Sequence, residues 1–245
     1  MKKVIILVLI IILPIIIYII NLDKKIYYLA LGDSLALGQN PYNQIGYGYS
    51  DYIYDYLKEK KLLEFYIKEY AVSGYRTIDL IRDIKDNKKI IKDNREIAIK
   101  NALTNADIVT LSIGINDILY KINNLNVTLI NKESILKYID EVLVDFEELI
   151  ILLKKYCKED IILLNYYFPP WIINNSDNKD LVLIFQYTNK KIKNIAKHNN
   201  IYYVDIAKNL NNINYFPNPI DVHPSIHGYE IIADQIIKLI EEKIL

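Results

Sequence analysis

Ser34 follows Gly32 and Asp33 in the stretch LALGDSLAL, directly behind the apolar run IYYLAL of residues 26–31. That run is β-branched and aromatic and reads as a strand stopped by the glycine, so Ser34 falls in the first turn of chain beyond a strand's carboxyl end. Open α/β sheets bind ligands at that edge, which makes the serine a candidate for chemistry as well as an ordinary helix cap. Three further stretches carry groups that acyl transfer needs. In YAVSGYRT, Gly74 follows a second strand-like run, where a glycine lets the backbone N–H approach a ligand closely, although a plain turn glycine has the same signature. In SIGINDI, Asn116 follows Gly114, and its amide can donate to a developing oxyanion or simply cap a helix. In DVHPSIHGYEIIAD, Asp221 and His223 stand just before the last helical pattern.

Histidine supply narrows the choice of base, because the chain holds only His198, His223 and His227. His198 sits at a helix end, where a solvated imidazole favourable to the helix dipole is the ordinary explanation. His227 falls where the last helix begins. His223, fixed between an acid two residues back and Pro224, is the best candidate.

The elements that must position these residues alternate. Strands are expected at 26–31, 65–71, 107–114, 160–168 and 201–207. Helices are expected at about 48–61, 77–104 with a break, 131–157, 180–198 and 228–244. The helix SILKYIDEVLVDFEELIILLKKY repeats apolar residues at spacings of three and four, with acids early and lysines at its end. Such alternation implies a parallel sheet covered by helices on both faces. The asparagine-rich stretches NNLNVTLINK and NNSDNKD read as loops within one domain. The loops 38–50 and 166–178, the second containing Trp171, lie at strand ends where a pocket wall or a plain connection would stand.

GDSL, AVSG, GIND and HPSIHGY, in this order and spacing, resemble the four sequence blocks of the SGNH hydrolase superfamily, the GDSL-type lipases and esterases, and especially its Gram-positive bacterial branch with an N-terminal hydrophobic segment. The resemblance runs from residue 26 nearly to the end. It implies a flavodoxin-like three-layer α/β/α sandwich with five parallel strands. It also implies Ser34 as nucleophile, the Ser34 and Gly74 backbone N–H groups and the Asn116 side chain as oxyanion-hole donors, and His223 as base. One position departs from the pattern: the family carries its acid three residues before the histidine, where this chain has Ile220, and the acid here is Asp221. Asp221 completes a triad if the loop after Pro219 turns to suit it; otherwise a backbone carbonyl orients the ring, or a Ser-His dyad operates.

The 245 residues carry 30 basic and 30 acidic side chains, so no overall field favours nucleic acid. Cys157 is the only cysteine, which excludes an internal disulfide framework and any cysteine-built metal cluster. Behind Met-Lys-Lys, an uninterrupted apolar run from Val4 to Ile20 is just long enough to cross a bilayer core. No small-residue cleavage site follows, so residues 1–22 are expected to be an uncleaved membrane anchor in preference to a removed signal peptide. Residues 23–245 would then form the hydrolase domain outside the cytoplasmic membrane, or a secreted one.

The expected activity is hydrolysis of carboxylic esters through an acyl-enzyme, with no metal or organic cofactor called for. Substrates of a lipase, a lysophospholipase or a small-acyl esterase fit, as do acetyl groups on cell-envelope glycans. The rival from another class is a membrane-tethered binding protein that keeps the fold without turnover, supported only by the displaced acid. A flavodoxin-like cofactor binder finds no glycine-rich phosphate loop in the chain.

Overall fold

The structure, a computed structural model, describes residues 25–124, 132–174 and 179–245. Its strands are β1 (Ile26–Gly32), β2 (Leu63–Ile67), β3 (Lys89–Lys92), β4 (Arg95–Ala98), β5 (Ile108–Ser112), β6 (Asp160–Leu164) and β7 (Tyr202–Val204). Five of them form one parallel sheet in the order β2-β1-β5-β6-β7, the flavodoxin-like order in which the chain reverses direction beside β1. The helices are α1 (Ser34–Leu37), α2 (Tyr49–Glu59), α3 (Thr77–Lys85), α4 (Ile99–Asn105), α5 (Ile115–Asn124), α6 (Lys132–Tyr156), α7 (Pro170–Ile173), α8 (Lys179–His198) and α9 (Ile226–Lys243).

Alternate side chains of β1 enter two separate cores. Leu29 and Leu31 pack with α3, α4, α6 and α8, whereas Tyr28 and Ala30 pack with α2 and α9. A strand buried on both faces has to be apolar throughout, which is why residues 26–31 show no alternation of apolar and polar types. On α9 the fully buried Ile232, Ile236 and Ile240 recur every four residues, each contributing roughly 1.5–3 kcal/mol of burial to the seam with the sheet. Three layers result, as expected.

Four boundaries differ from the sequence-based expectation. Residues 77–104 are not one broken helix: α3 ends at Lys85, an antiparallel hairpin of β3 and β4 follows, and α4 begins at Ile99. The reason lies in Asp93 and Asn94, whose φ of 50° and 59° supply the left-handed turn that a two-residue hairpin loop requires. Ile90 and Ile97 then face each other and pack on the core while Ile91 points outward. β2 ends at Ile67 and not at residue 71, because the chain turns with the Ala71 N–H donating to the Lys68 carbonyl. β6 stops at Leu164 and not at 168: the Tyr166 N–H and carbonyl are taken by the Asn189 side chain of α8, at 3.0 and 2.8 Å, in place of a strand partner. β7 is the short Tyr202–Val204 in place of 201–207, with a 3-10 turn starting at Ile206.

Among the described residues no helix is long and apolar enough to cross a membrane. The apolar run of residues 4–20 lies outside the described residues.

Candidate active site

The carboxyl ends of β1, β5 and β6 and the loop before α9 meet at one cavity. Gly32 closes β1 with φ at +137°, and a Cβ there would stand 1.8 Å from the Ser112 carbonyl oxygen, so only glycine lets β1 and β5 end side by side. Asp33 then caps α1, its Oδ1 accepting the Leu35 N–H at 3.1 Å. With Asp33 doing the capping, Ser34 is released from that task. Its Oγ lies 2.8 Å from Nε2 of His223, a residue 189 positions away in the chain.

Asp221 reaches the histidine through a local turn. Its Oδ1 accepts the His223 backbone N–H at 2.7 Å and lies 2.7 Å from the ring Nδ1 as well. A carboxylate bonding the N–H two residues on is an Asx-turn, and that turn carries the oxygen to the ring edge. An acid two residues before the histidine therefore makes the contact without any contribution from position 220, and Ile220 is 93% exposed. The loop is tied down by Asn218, whose Nδ2 donates to the Pro41 carbonyl at 2.7 Å, and by the Tyr167 hydroxyl donating to the Val222 carbonyl at 3.0 Å. Side chains of His223 and Asp221 are 15% and 18% exposed, and of the two His223 lines the cavity.

Gly74 and Asn116 line the same cavity. Gly74 has φ at +79° with nothing within 4 Å of where a Cβ would be, so the turn and not crowding calls for glycine. Asn116 lies in the first turn of α5, and its Nδ2 donates to the Tyr75 carbonyl at 2.9 Å, which leaves its second amide hydrogen for the cavity. The two segments are bound again below that contact: buried Asp117 accepts both the Thr77 N–H and the Thr77 hydroxyl on Oδ2, at 2.9 and 3.0 Å. Burial raises the Asp117 carboxyl from its ordinary range, with the Thr77 bonds pulling the other way. Under the same loop, the Tyr75 hydroxyl bonds Asp83 at 2.9 Å and receives Lys88 at 2.8 Å.

Asp117 and Thr77 stand inside the GIND and AVSGYRT stretches, but their role depends on a contact across 40 residues, and sequence spacing carries no signal for that. Asp33 was visible only as part of the GDSL block. It is almost wholly buried, and burial pushes its carboxyl up to about 7 against the Leu35 and Ser112 hydrogen bonds that favour the charge. Its Oδ2 has no hydrogen-bond partner among the described residues.

The cavity has a volume of about 210 Å³. Of the two loops expected near it, Tyr166, Tyr167 and Phe168 of the second contribute wall, whereas none of residues 38–50 does. Trp171 packs edge-on against Phe216 instead. His198 is exposed at the end of α8, and exposed His227 pairs with Glu230, so neither joins the site. Cys157 is buried just past α6, and burial pushes its thiol up to about 11. Among the described residues no cluster of three or more His, Cys, Asp or Glu side chains is placed to hold a metal ion.

Known proteins share this sequence pattern and fold. The chain is 24% identical over 225 residues to YpmR, an uncharacterized protein of Bacillus subtilis strain 168, covering 90% of this chain and 83% of that one. The fold is shared with the acetylxylan esterase of Geobacillus stearothermophilus, with TM-score 0.60, 22% identity, and 88% and 93% of the two chains covered. It is shared also with a Parabacteroides merdae protein described as a GDSL-like lipase, with TM-score 0.61, 16% identity, and 89% and 97% covered. A model of the GDSL-like lipase/acylhydrolase family matches residues 30–231, from the end of β1 into α9 and so across every segment that lines the cavity; the chain belongs to that family of serine ester hydrolases.

Proposed function

We propose that the chain hydrolyses carboxylic esters through an acyl-enzyme formed on Ser34. The observation that carries this is the continuous hydrogen-bonded line from Ser34 Oγ through both ring nitrogens of His223 to Asp221, opening onto the cavity. Ser34 Oγ attacks the ester carbonyl carbon while its proton passes to His223 Nε2, and Asp221 holds Nδ1–H and offsets the charge that forms on the ring. The Ser34 and Gly74 N–H groups and the free amide hydrogen of Asn116 hold the oxyanion. Nε2 then gives its proton to the leaving alcohol oxygen. A water, deprotonated by the same nitrogen, releases the acid and restores the serine.

The binding-protein reading rested on the displaced acid alone, and the 2.7 Å contact of Asp221 with Nδ1 takes that support away. Deacetylation of cell-envelope glycans is the second reading. It draws on the activity named for the Geobacillus neighbour, whose likeness at 22% identity carries the fold only. The apolar run Val4–Ile20 behind two lysines supports an anchor that holds the hydrolase domain outside the cytoplasmic membrane; a secreted form is the alternative. The test is to treat the full chain in detergent with a fluorophosphonate probe and p-nitrophenyl esters, beside Ser34→Ala. Wild type should label and turn over, and Ser34→Ala should lose labelling and at least about 10⁴-fold in kcat. Equal turnover by the two proteins would sink the proposal.

A further inference from the structure

We propose that Ile115, Leu119 and Phe168 form an acyl subsite for an unbranched hydrocarbon chain longer than acetyl, so that the substrates are esters of medium-chain fatty acids. This rests on the acyl-enzyme reading above and specifies its substrate. The cavity straddles the sheet. Tyr167, packed on Phe216, belongs with the α2 and α9 side, together with the loop carrying Val222 and His223. Ile115 and Phe168 belong to the core under α6 and α8, with Leu119 one helical turn beyond Ile115 on the same face of α5.

That division orients the substrate. His223 has to protonate the leaving oxygen, so the alcohol departs on the His223 and Val222 side. The acyl substituent of the tetrahedral carbon then points the other way, towards α5 and Phe168. The wall there is apolar and fixed: Phe168 lies against Phe185 with ring centroids 3.5 Å apart, and the Tyr166 hydroxyl is turned away to the Ile113 carbonyl at 2.9 Å. Asn165, also in the wall, donates from Nδ2 to Asp205 and accepts the Ala207 N–H on Oδ1. Among the described residues no lysine or arginine lines the cavity, so an acyl group bearing a carboxylate or phosphate meets no counter-charge from them.

Size agrees with chemistry. The whole cavity, at about 210 Å³, is much larger than an acetyl methyl group requires. Each methylene taken out of water into such a wall is worth about fourfold in kcat/KM. The gain from acetate to hexanoate is then on the order of a hundredfold.

The experiment measures kcat/KM of the full chain in detergent on p-nitrophenyl acetate, butyrate, hexanoate and octanoate, for wild type and Leu119→Trp, with fluorophosphonate labelling as the check on each protein. Wild type should rise steadily to hexanoate, and Leu119→Trp should lower the hexanoate-to-acetate ratio at least tenfold. If Leu119→Trp does not fold, Leu119→Phe reads the same ratio. Labelling by wild type with acetate as its best ester, or an unchanged ratio in the labelled variant, overturns the acyl subsite alone. No labelling and no turnover on any ester removes the esterase reading, and this proposal with it.

Discussion

The Ser34, His223 and Asp221 half of the site and the Gly74 and Asn116 half are held by different kinds of contact. In the first, the polar groups are partnered mainly by one another, on loops that carry them in from opposite ends of the chain. In the second, Asn116 is held by the Tyr75 carbonyl and its neighbour Asp117 by Thr77, so the fit is set by a buried layer beneath the cavity. The difference has a consequence for substitution. Removing a member of the first half strands its partner, whereas removing Asn116 takes away one donor and leaves Asp117 and Thr77 in place to keep the loop.

Beyond the loss at Ser34 itself, the largest effect in this comparison is expected at Asp221. Asp221→Asn can still accept the His223 N–H and so can keep the turn, but it loses the negative charge that offsets the imidazolium. Turnover on the best ester should fall about 10³- to 10⁴-fold. Fluorophosphonate labelling should slow in step, with the melting temperature near that of wild type. Activity within threefold of wild type would mean that the turn, and not the charge, is what Asp221 supplies. Asn116→Ala should cost less, about 10²- to 10³-fold, as the loss of one of three donors. That loss should appear in kcat with KM little changed, because the donor acts on charge that develops during reaction. A loss confined to KM would remove Asn116 from the oxyanion hole.

Much of this architecture was legible in the residues, for reasons that also explain what was not. The apolar run of β1 and the glycines that end strands are local features, and the four blocks carry Ser34, Gly74, Asn116 and His223, which the fold brings to one cavity. The β3–β4 hairpin was hidden inside a helical pattern because Ile90, Ile91 and Ile97 satisfy either period in so short a stretch. The signal that decides it, Asp93-Asn94 with positive φ, is a turn pair that propensity for helix on both sides overrode. The end of β6 depends on Asn189 arriving from α8, and the reach of Asp221 on an Asx-turn closed by its own histidine. Neither is written in spacing alone.

Asp33 joins the two halves, since it caps the helix that presents Ser34 and accepts Ser112 from the end of β5 at 3.3 Å. Its smaller effect is on stability. Burial disfavours its charge and pushes the carboxyl up to about 7 from its ordinary 3.8. Between about pH 4 and pH 7 the folded state therefore holds a proton that the unfolded chain has released, so stability falls as pH rises through that window and is level above it. Three pH units of displacement correspond to a penalty on the order of 4 kcal/mol once the carboxyl is ionised. Asp33→Asn keeps an acceptor for the Leu35 N–H and never carries the charge. The variant should match wild type in melting temperature near pH 4 and become progressively more stable than wild type up to pH 8. Parallel curves across that range would mean that Oδ2, bare among the described residues, is hydrated or paired strongly enough to ionise at no cost, and that the join between the two halves is held by a charge and not by a neutral acid.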